Sequence, residues 1–186
     1  MKVTLLGDSI RQIGYGTKVP EMLGKDFEVF QPVDNCRFVK YTLRMLFDLE
    51  EQMKGSDIVH WNNGLWDVCE IFGDGTFSSV NEYVENMLRV ADILQKRYKV
   101  VIFATITPVR KEHPHNKNSD IEKFNSEIVP KLQERGIIIN DLYSLVAQDI
   151  EKYIREDDLI HLSEDGIELC SKQVTKVILE AAKTLQ

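Results

Sequence analysis

The stretch Val3-Thr4-Leu5-Leu6-Gly7-Asp8-Ser9 begins with a short apolar run that leads directly into a glycine, an acid and a serine. The run at 3–6 is followed along the chain by similar apolar and β-branched runs at 27–30, 58–61, 100–105 and 137–139. Each run is too short for an independent helix and has the composition of a strand. The sequence therefore predicts about five strands.

Longer amphipathic stretches separate these runs, at 17–23, 38–53, 79–97, 119–135 and 163–185. Ser79 with Glu82, and Ser119 with Glu122, fit the capping box, in which each side chain satisfies a free backbone N–H at a helix start. Pro130 lies inside the fourth stretch and predicts a kink or an early break there. Glycines stand where helices are expected to stop: Gly24, Gly55 and Gly136.

The alternation of strands and helices decides the fold class. A parallel sheet needs crossover helices and buries both of its faces, so nearly continuous apolar strands between amphipathic helices indicate such a sheet. We predict an α/β fold, a three-layer α/β/α sandwich with a parallel sheet of about five strands. One domain over residues 1–186 is expected, with candidate flexible loops at about 68–78 and 109–118.

Composition excludes several classes of protein. The formal net charge of -7 disfavours a nucleic-acid partner, because the surface repels phosphate. Three widely spaced cysteines suggest neither a disulfide framework nor a zinc site. The sequence shows no signal-peptide pattern and no apolar run of the roughly 20 residues that a membrane span needs. We therefore expect a cytoplasmic protein without a membrane partner, and the sequence leaves its oligomeric state open.

Polar and titratable residues follow the predicted strands, at the edge of a parallel sheet where ligands bind. Ser9 follows the first strand, the segment 34–37 the second, the segment 62–67 the third and Thr107-Pro108 the fourth. Near the C-terminus, Asp158 and His161 precede the last helix. The sequence therefore predicts that the functional groups collect on one edge.

A serine hydroxyl needs a base that accepts its proton, and the base is usually a histidine held in one tautomer by a carboxylate. His161 and Asp158 supply that pair at a spacing that a single turn can close. Asp157 is the neighbouring alternative, and the spacing favours Asp158. The site also needs donors to an oxyanion, for which the candidates are the backbone N–H groups of Ser9 and Cys36 and one side chain among Asn62, Asn63 and Trp66.

These two blocks, Gly7-Asp8-Ser9 after the first strand and Asp158-x-x-His161 before the last helix, resemble the SGNH or GDSL-like hydrolases, a family of esterases and lipases with a flavodoxin-like fold. The resemblance covers the whole chain. It implies that Ser9 is the nucleophile, that His161 is the general base and then acid, and that Asp158 orients His161. It also implies that the Ser9 N–H belongs to the oxyanion hole.

Two middle blocks depart from the family pattern. Cys36 stands where the family places a glycine that donates its backbone N–H, and Trp66 stands where the family has an asparagine. Asn62 or Asn63 is then a candidate third donor, as in a branch that resembles carbohydrate acetylesterases. Asn35 and Trp66 are candidate pocket residues, and Phe72 and Phe77 could line an acyl or sugar pocket.

Each candidate also has a structural interpretation. Ser9 could cap the following helix, and the three asparagines could only satisfy backbone groups at strand ends. His60 is expected to be a core histidine. Other residues could act in different ways: a metal site at His113 and His115, a thiol nucleophile at Cys36, and substrate-binding or merely solvated cations at Arg11 and Arg37.

The sequence predicts a serine ester hydrolase that forms an acyl-enzyme and needs neither cofactor nor metal. Short-chain esters, with acetylated carbohydrate first among them, are the expected small-molecule substrates on the basis of the resemblance. The alternatives are a catalytically degenerate relative and a flavodoxin-like domain that binds a small ligand. The latter would need a phosphate-binding loop after the first strand, which Gly7-Asp8-Ser9 does not provide.

Overall fold

The computed structural model describes residues 1–185, which form a five-stranded, wholly parallel sheet in the order β2-β1-β3-β4-β5. The strands are β1 Lys2–Leu6, β2 Glu28–Phe30, β3 Ile58–Asn62, β4 Val100–Ala104 and β5 Ile138–Asn140. Each lies within about one residue of a predicted run. The predicted α/β class and parallel sheet are confirmed.

The helices of the described part pack in two groups. Helices α2 Val39–Asp48, α4 Val80–Arg97 and α5 Asn118–Gln133 contact one another in succession. Helix α8 Glu164–Lys183 contacts α1 Val19–Leu23, α6 Leu142–Val146 and α7 Ile150–Tyr153. Between α2 and β3 lies the short α3 Glu50–Met53. The sequence did not predict α6 and α7, which contain five and four residues and are too short to show a hydrophobic period.

The helix ends test the capping predictions. Ser79 and Glu82 form the predicted capping box at the start of α4. The prediction of a capping box at Ser119 is wrong, because α5 begins at Asn118 and no side chain caps its start. Pro130 does not end that helix early, since α5 continues to Gln133. Pro130 thus falls in the last turn of α5, where its missing N–H removes one backbone hydrogen bond of that turn.

The central strands carry the core. All five side chains of β3 are buried, including His60, whose ring nitrogens lie 3.4 Å from Tyr15 Oη and 3.1 Å from Asn140 Nδ2. Burial lowers the pKa of His60 to about 3, so the ring is neutral. The prediction of a core histidine is confirmed. Among the helices of residues 1–185, none combines the length and the apolar character needed to cross a membrane.

Candidate active site

Strand β1 is the switch point of the sheet, because β2 lies on one side of it and β3 on the other. In doubly wound sheets the crevice at such a switch point, at the carboxyl ends of the strands, is where ligands bind. A cavity of about 550 Å³ opens there, and Ser9 and His161 both contribute to its lining. Two residues that are far apart in the sequence therefore lie at the same cavity.

Ser9 is held at the end of β1 by its neighbour Asp8. The Asp8 carboxylate accepts hydrogen bonds from the Ile10 backbone N–H at 2.9 Å and from Asn62 Nδ2 at 2.7 Å. Burial raises the pKa of Asp8, although these bonds and the nearby charges of Arg11 and His161 oppose the change.

The Ser9 side chain is half-buried. Ser9 precedes the single wide helical turn Ile10–Gly14, and its hydroxyl makes no capping bond to that turn. The interpretation of Ser9 as a helix cap therefore loses its support, and the hydroxyl is left beside the cavity.

His161 is oriented by Asp158. Asp158 Oδ2 lies 3.0 Å from His161 Nδ1, while Oδ1 accepts the backbone N–H groups of His161 at 2.9 Å and Ile160 at 3.1 Å. Partial burial works to raise the pKa of Asp158, and these hydrogen bonds outweigh it and lower the pKa to about 2. The carboxylate is therefore ionised near neutral pH and holds the proton of the imidazole on Nδ1.

The turn that carries this pair is constrained from both sides. Leu159 has a φ of 66°, a left-handed conformation that is uncommon for a branched side chain. Its carbonyl accepts the Arg110 N–H at 2.9 Å, and the His161 carbonyl accepts the Arg155 N–H at 2.8 Å. Asp157 is exposed and pairs with Arg155. Of the two acids, Asp158 is thus the one that contacts His161.

The structure corrects the expectation for Cys36. Its side chain is fully buried, and its backbone N–H donates to the Gly7 carbonyl at 3.0 Å. That N–H is therefore not free for an oxyanion, and Cys36 does not line the cavity. Burial raises the pKa of the Cys36 thiol, and its sulfur accepts the Gly7 N–H at 3.2 Å, which also disfavours a thiol nucleophile.

Asn62 and Asn63 lie beneath the cavity rather than in its wall. Besides its bond to Asp8, Asn62 accepts the Tyr15 hydroxyl at 2.7 Å. Asn63 donates to the Arg37 carbonyl at 2.9 Å and accepts from Thr42 at 2.9 Å. Both amides are buried and used in support of neighbouring segments. Asn63 satisfies a backbone group as the structural interpretation expects, whereas Asn62 bonds to the side chains of Asp8 and Tyr15. The expectation that either asparagine supplies the third donor is not supported.

Asn35 and Trp66, the two candidate pocket residues, do line the cavity. Asn35 Oδ1 accepts the Arg37 N–H at 2.7 Å, and Arg37 has a φ of 48°. Because the amide oxygen is held by this turn, the amide nitrogen is directed away from it. Trp66 is 44% exposed, so its indole ring forms an open part of the wall.

Two buried charged residues near the site have roles that the sequence did not predict, since Arg11 was expected either to bind substrate or to be solvated. Arg11 is 1% exposed, and its guanidinium donates to the carbonyls of Pro32 at 2.7 Å, Gly7 at 3.1 Å and Asp34 at 2.8 Å. Arg11 therefore joins the loop after β1 to the loop after β2. It neither faces solvent nor lines the cavity.

Asp67 is the second of these residues. It accepts the Val39 N–H at 3.0 Å and the Ser78 hydroxyl at 2.8 Å, which ties α2 to the end of the loop 68–78. Burial raises the pKa of Asp67 to about 7, although these hydrogen bonds oppose it. The feature of the sequence that could have drawn attention to Asp67 is its place at the end of the block Gly64-Leu65-Trp66-Asp67.

The loops 68–78 and 109–118, noted in the sequence as candidate flexible segments, form adjoining parts of the cavity wall. The first contributes Cys69, Ile71 and Phe77, and the second contributes His113, His115 and Asn116. The remaining lining side chains that the sequence did not single out are Phe38, Leu65 and Ile160. In the part of the chain that the structure describes, no cluster of three or more His, Cys, Asp or Glu side chains is arranged to hold a metal ion.

No protein-family model matches the sequence, and no curated protein is significantly similar to it. Solved structures are similar over nearly the whole chain. The acetyl xylan esterase AlAXEase superposes with a TM-score of 0.79 at 21% identity, covering 96% of this chain and all of the other (100%). A lipase/acylhydrolase from Enterococcus faecalis has a TM-score of 0.74 at 20% identity, with 95% of this chain and 94% of the other covered.

A third similar structure is an acetylxylan esterase from Geobacillus stearothermophilus, with a TM-score of 0.76 at 15% identity over 94% of this chain and 92% of the other. The fold is that of these ester hydrolases. Two variants of the third enzyme that are described as catalytic mutants replace a histidine and a serine by alanine. At these identities the similarity shows a shared fold, and the activity of this chain is argued from its own site.

Proposed function

We propose that this chain is a serine ester hydrolase of the SGNH or GDSL-like type, with Ser9 as nucleophile, His161 as general base and acid, and Asp158 as the residue that orients His161. The observation that carries the proposal is the shared cavity: Ser9 and His161 line it together, while Asp158 holds His161 Nδ1 at 3.0 Å. With Nδ1 occupied by this bond, Nε2 is the nitrogen available to accept the Ser9 proton.

The reaction would proceed in two halves. Ser9 Oγ attacks the ester carbonyl as His161 takes its proton, and His161 then delivers that proton to the departing alcohol. A water molecule, activated by the same imidazole, releases the acid from the acyl-enzyme. Asp158 stays ionised throughout, because its pKa is held at about 2, and it stabilises the imidazolium that forms in each half.

Two donors are assigned to the oxyanion. One is the Ser9 backbone N–H, which takes part in no hydrogen bond within residues 1–185. The other is Asn35 Nδ2, which the Arg37 bond to Oδ1 turns away from its own loop. This assignment replaces Cys36, Asn62 and Asn63. Each such donor is typically worth about 3–4 kcal/mol to the transition state.

Short-chain esters, with acetylated carbohydrate first among them, are the proposed substrates. Two of the similar structures are acetylxylan esterases, which supports this class. Trp66 and Phe77 are both about half exposed at the cavity and offer faces on which a sugar ring could stack. A carbohydrate bearing a small acyl group fits this combination of an open aromatic wall and a nucleophile at the cavity floor.

The test is hydrolysis of p-nitrophenyl acetate, butyrate and octanoate by the wild type, Ser9→Ala and Asp158→Asn. We expect Ser9→Ala to lose at least about 10⁴-fold in kcat, and Asp158→Asn about 10³- to 10⁴-fold, because the imidazole then loses its tautomer control. Ser126→Ala, an exposed serine of α5, is the matched control. Equal activity of Ser9→Ala and the wild type, or no activity in a folded wild type, would refute the proposal.

A further inference from the structure

The loop between β4 and α5 is pinned against its neighbours at several points. Asn116 Nδ2 donates to the Leu65 carbonyl at 2.9 Å, and the His115 carbonyl accepts the Glu70 N–H at 2.7 Å. Asn118 closes the loop by pairing with both backbone groups of Val109 at 2.9 Å. A side chain carried by this loop is therefore held in a defined position.

His113 is such a side chain, and its ring is fixed in one tautomer. Nδ1 lies 2.9 Å from the Asn116 backbone N–H and 3.3 Å from that of His115, so it accepts from both. A nitrogen that accepts carries no proton, which places the proton of the neutral ring on Nε2. Since Nδ1 faces the loop backbone, the opposite edge of the ring is the one offered to the cavity that His113 lines.

The ring is also held neutral. Partial burial lowers the pKa of His113, and the neighbouring His115 and His161 lower it further, while Asp158 opposes them. His113 thus differs from His161, which has a carboxylate partner. A neutral imidazole with its proton on Nε2 is a hydrogen-bond donor toward an uncharged ligand and cannot take the Ser9 proton without giving up its bonds to the loop.

The two other polar side chains that this loop contributes to the wall, His115 and Asn116, each have a hydrogen-bond partner. Asn116 Nδ2 is bonded to Leu65, and His115 Nδ1 lies 3.0 Å from the Glu70 carbonyl. The surrounding side chains, Leu65, Trp66 and Ile160, are apolar or aromatic. Within the described residues no hydrogen bond engages His113 Nε2. The Nε2–H of His113 therefore remains available beside apolar and aromatic side chains, an arrangement by which binding pockets orient a ligand.

We propose that His113 is a substrate-binding residue whose Nε2–H donates a hydrogen bond to an uncharged acceptor oxygen, such as a hydroxyl, on the alcohol part of the ester. The alcohol is chosen over the acyl group because His161 must deliver its proton to the leaving alcohol, and His113 lines the same cavity as His161. The two segments are joined through Arg110, whose carbonyl accepts the His113 backbone N–H at 3.0 Å and whose backbone N–H donates to the Leu159 carbonyl at 2.9 Å. This inference rests on the proposed ester hydrolysis.

The variant that separates this role from a structural one is His113→Asn. The Asn oxygen can replace Nδ1 as acceptor for the loop N–H groups, but the shorter side chain has no donor at the Nε2 position. The substrates are phenyl acetate and glycerol monoacetate, which share an acyl group and differ in the hydroxyls of the alcohol. Glu112→Gln, on an exposed residue of the same loop, is the control.

We expect His113→Asn to raise KM for glycerol monoacetate about five- to tenfold, the effect of losing one neutral hydrogen bond, with kcat nearly unchanged. KM for phenyl acetate should change less than about twofold. His113→Gln, whose amide nitrogen can reach the Nε2 position, should restore part of the loss. Thermal unfolding of each variant shows whether the loop and the fold are retained.

Equal losses on both substrates, or no loss on either, would overturn the role of His113 while the Ser9-dependent activity stands. Hydrolysis of phenyl acetate but not of glycerol monoacetate by the wild type would also overturn it. A folded wild type that hydrolyses neither ester contradicts the proposed function itself, and the inference falls with it. The failure of the inference and the failure of the proposed function thus give different results.

Discussion

The buried carboxyl of Asp67 should make the protein less stable as the pH rises, and Asp67→Asn should remove that dependence. Asp67 is fully buried and accepts bonds from the Val39 N–H and the Ser78 hydroxyl. Asparagine can keep this arrangement, with its oxygen accepting from Val39 and its nitrogen donating to the Ser78 oxygen. The protonated carboxyl of Asp67 can make the same two bonds, and burial favours it in the folded protein because the ionised form would lose its hydration.

The magnitude follows from the pKa of Asp67, raised from 3.8 to about 7 by burial. Between these values the unfolded chain releases the proton while the folded protein keeps it. The contribution of Asp67 to stability is therefore fully present below pH 3.8 and is lost as the pH rises to about 7. The loss is about 1.4 kcal/mol per pH unit, or about 4 kcal/mol in total.

Urea unfolding of the wild type and Asp67→Asn at several pH values between 4 and 8.5 measures this effect. The free energy of unfolding of the variant minus that of the wild type should increase by about 4 kcal/mol and become constant above about pH 7.5. Taking the difference removes the contributions of distant carboxyls. Asp74→Asn, on an exposed residue of the same loop, controls for the loss of one negative charge. A difference that stays constant across the range would refute the reasoning.

Two further substitutions test the support of the nucleophile loop. In Gly7→Ala the new Cβ would lie 2.0 Å from Asn62 Oδ1, so we expect a loss of about 2–4 kcal/mol in unfolding free energy together with most of the esterase activity, and a normal melting temperature would contradict the contact. Arg11→Met leaves the carbonyls of Pro32 and Asp34 without a donor, while the Gly7 carbonyl keeps the Cys36 N–H, and it should cost about 2–4 kcal/mol by urea unfolding. Arg44→Met, on the exposed face of α2, should cost less than about 1 kcal/mol.

The sheet could be predicted closely from the sequence because its signal is local. Strands β1, β3 and β4 are short apolar runs between helical stretches, and the burial that produces this pattern is the burial observed. The start of α5 shows the limit of such reasoning. Ser119 and Glu122 have the spacing of a capping box, yet the helix begins at Asn118, whose side chain is engaged with Val109 across the preceding loop.

The contact between Asp158 and His161 could be predicted from the sequence for the same reason. Asp158 and His161 are three residues apart, so a single turn decides whether they meet, and the observed distance is 3.0 Å. That Ser9 lies on the same cavity depends on the strand order, which follows from the topological rules of parallel sheets rather than from spacing. His113 was missed as a cavity residue because its role depends on a loop whose shape no periodic pattern encodes.

Whether Asn62 could donate to an oxyanion depends on strand register, and register is a property of paired strands. Leu6 pairs with Trp61, which places Asn62 beside Gly7. Asn62 Oδ1 occupies the space that a side chain at position 7 would fill, and the amide nitrogen of Asn62 donates to Asp8. A shift of one residue between the strands would exchange the faces of every side chain. The sequence alone does not show whether an asparagine at the end of β3 faces a substrate or supports a neighbouring loop. The pairing of β1 with β3 decides this and makes Asn62 a supporting residue.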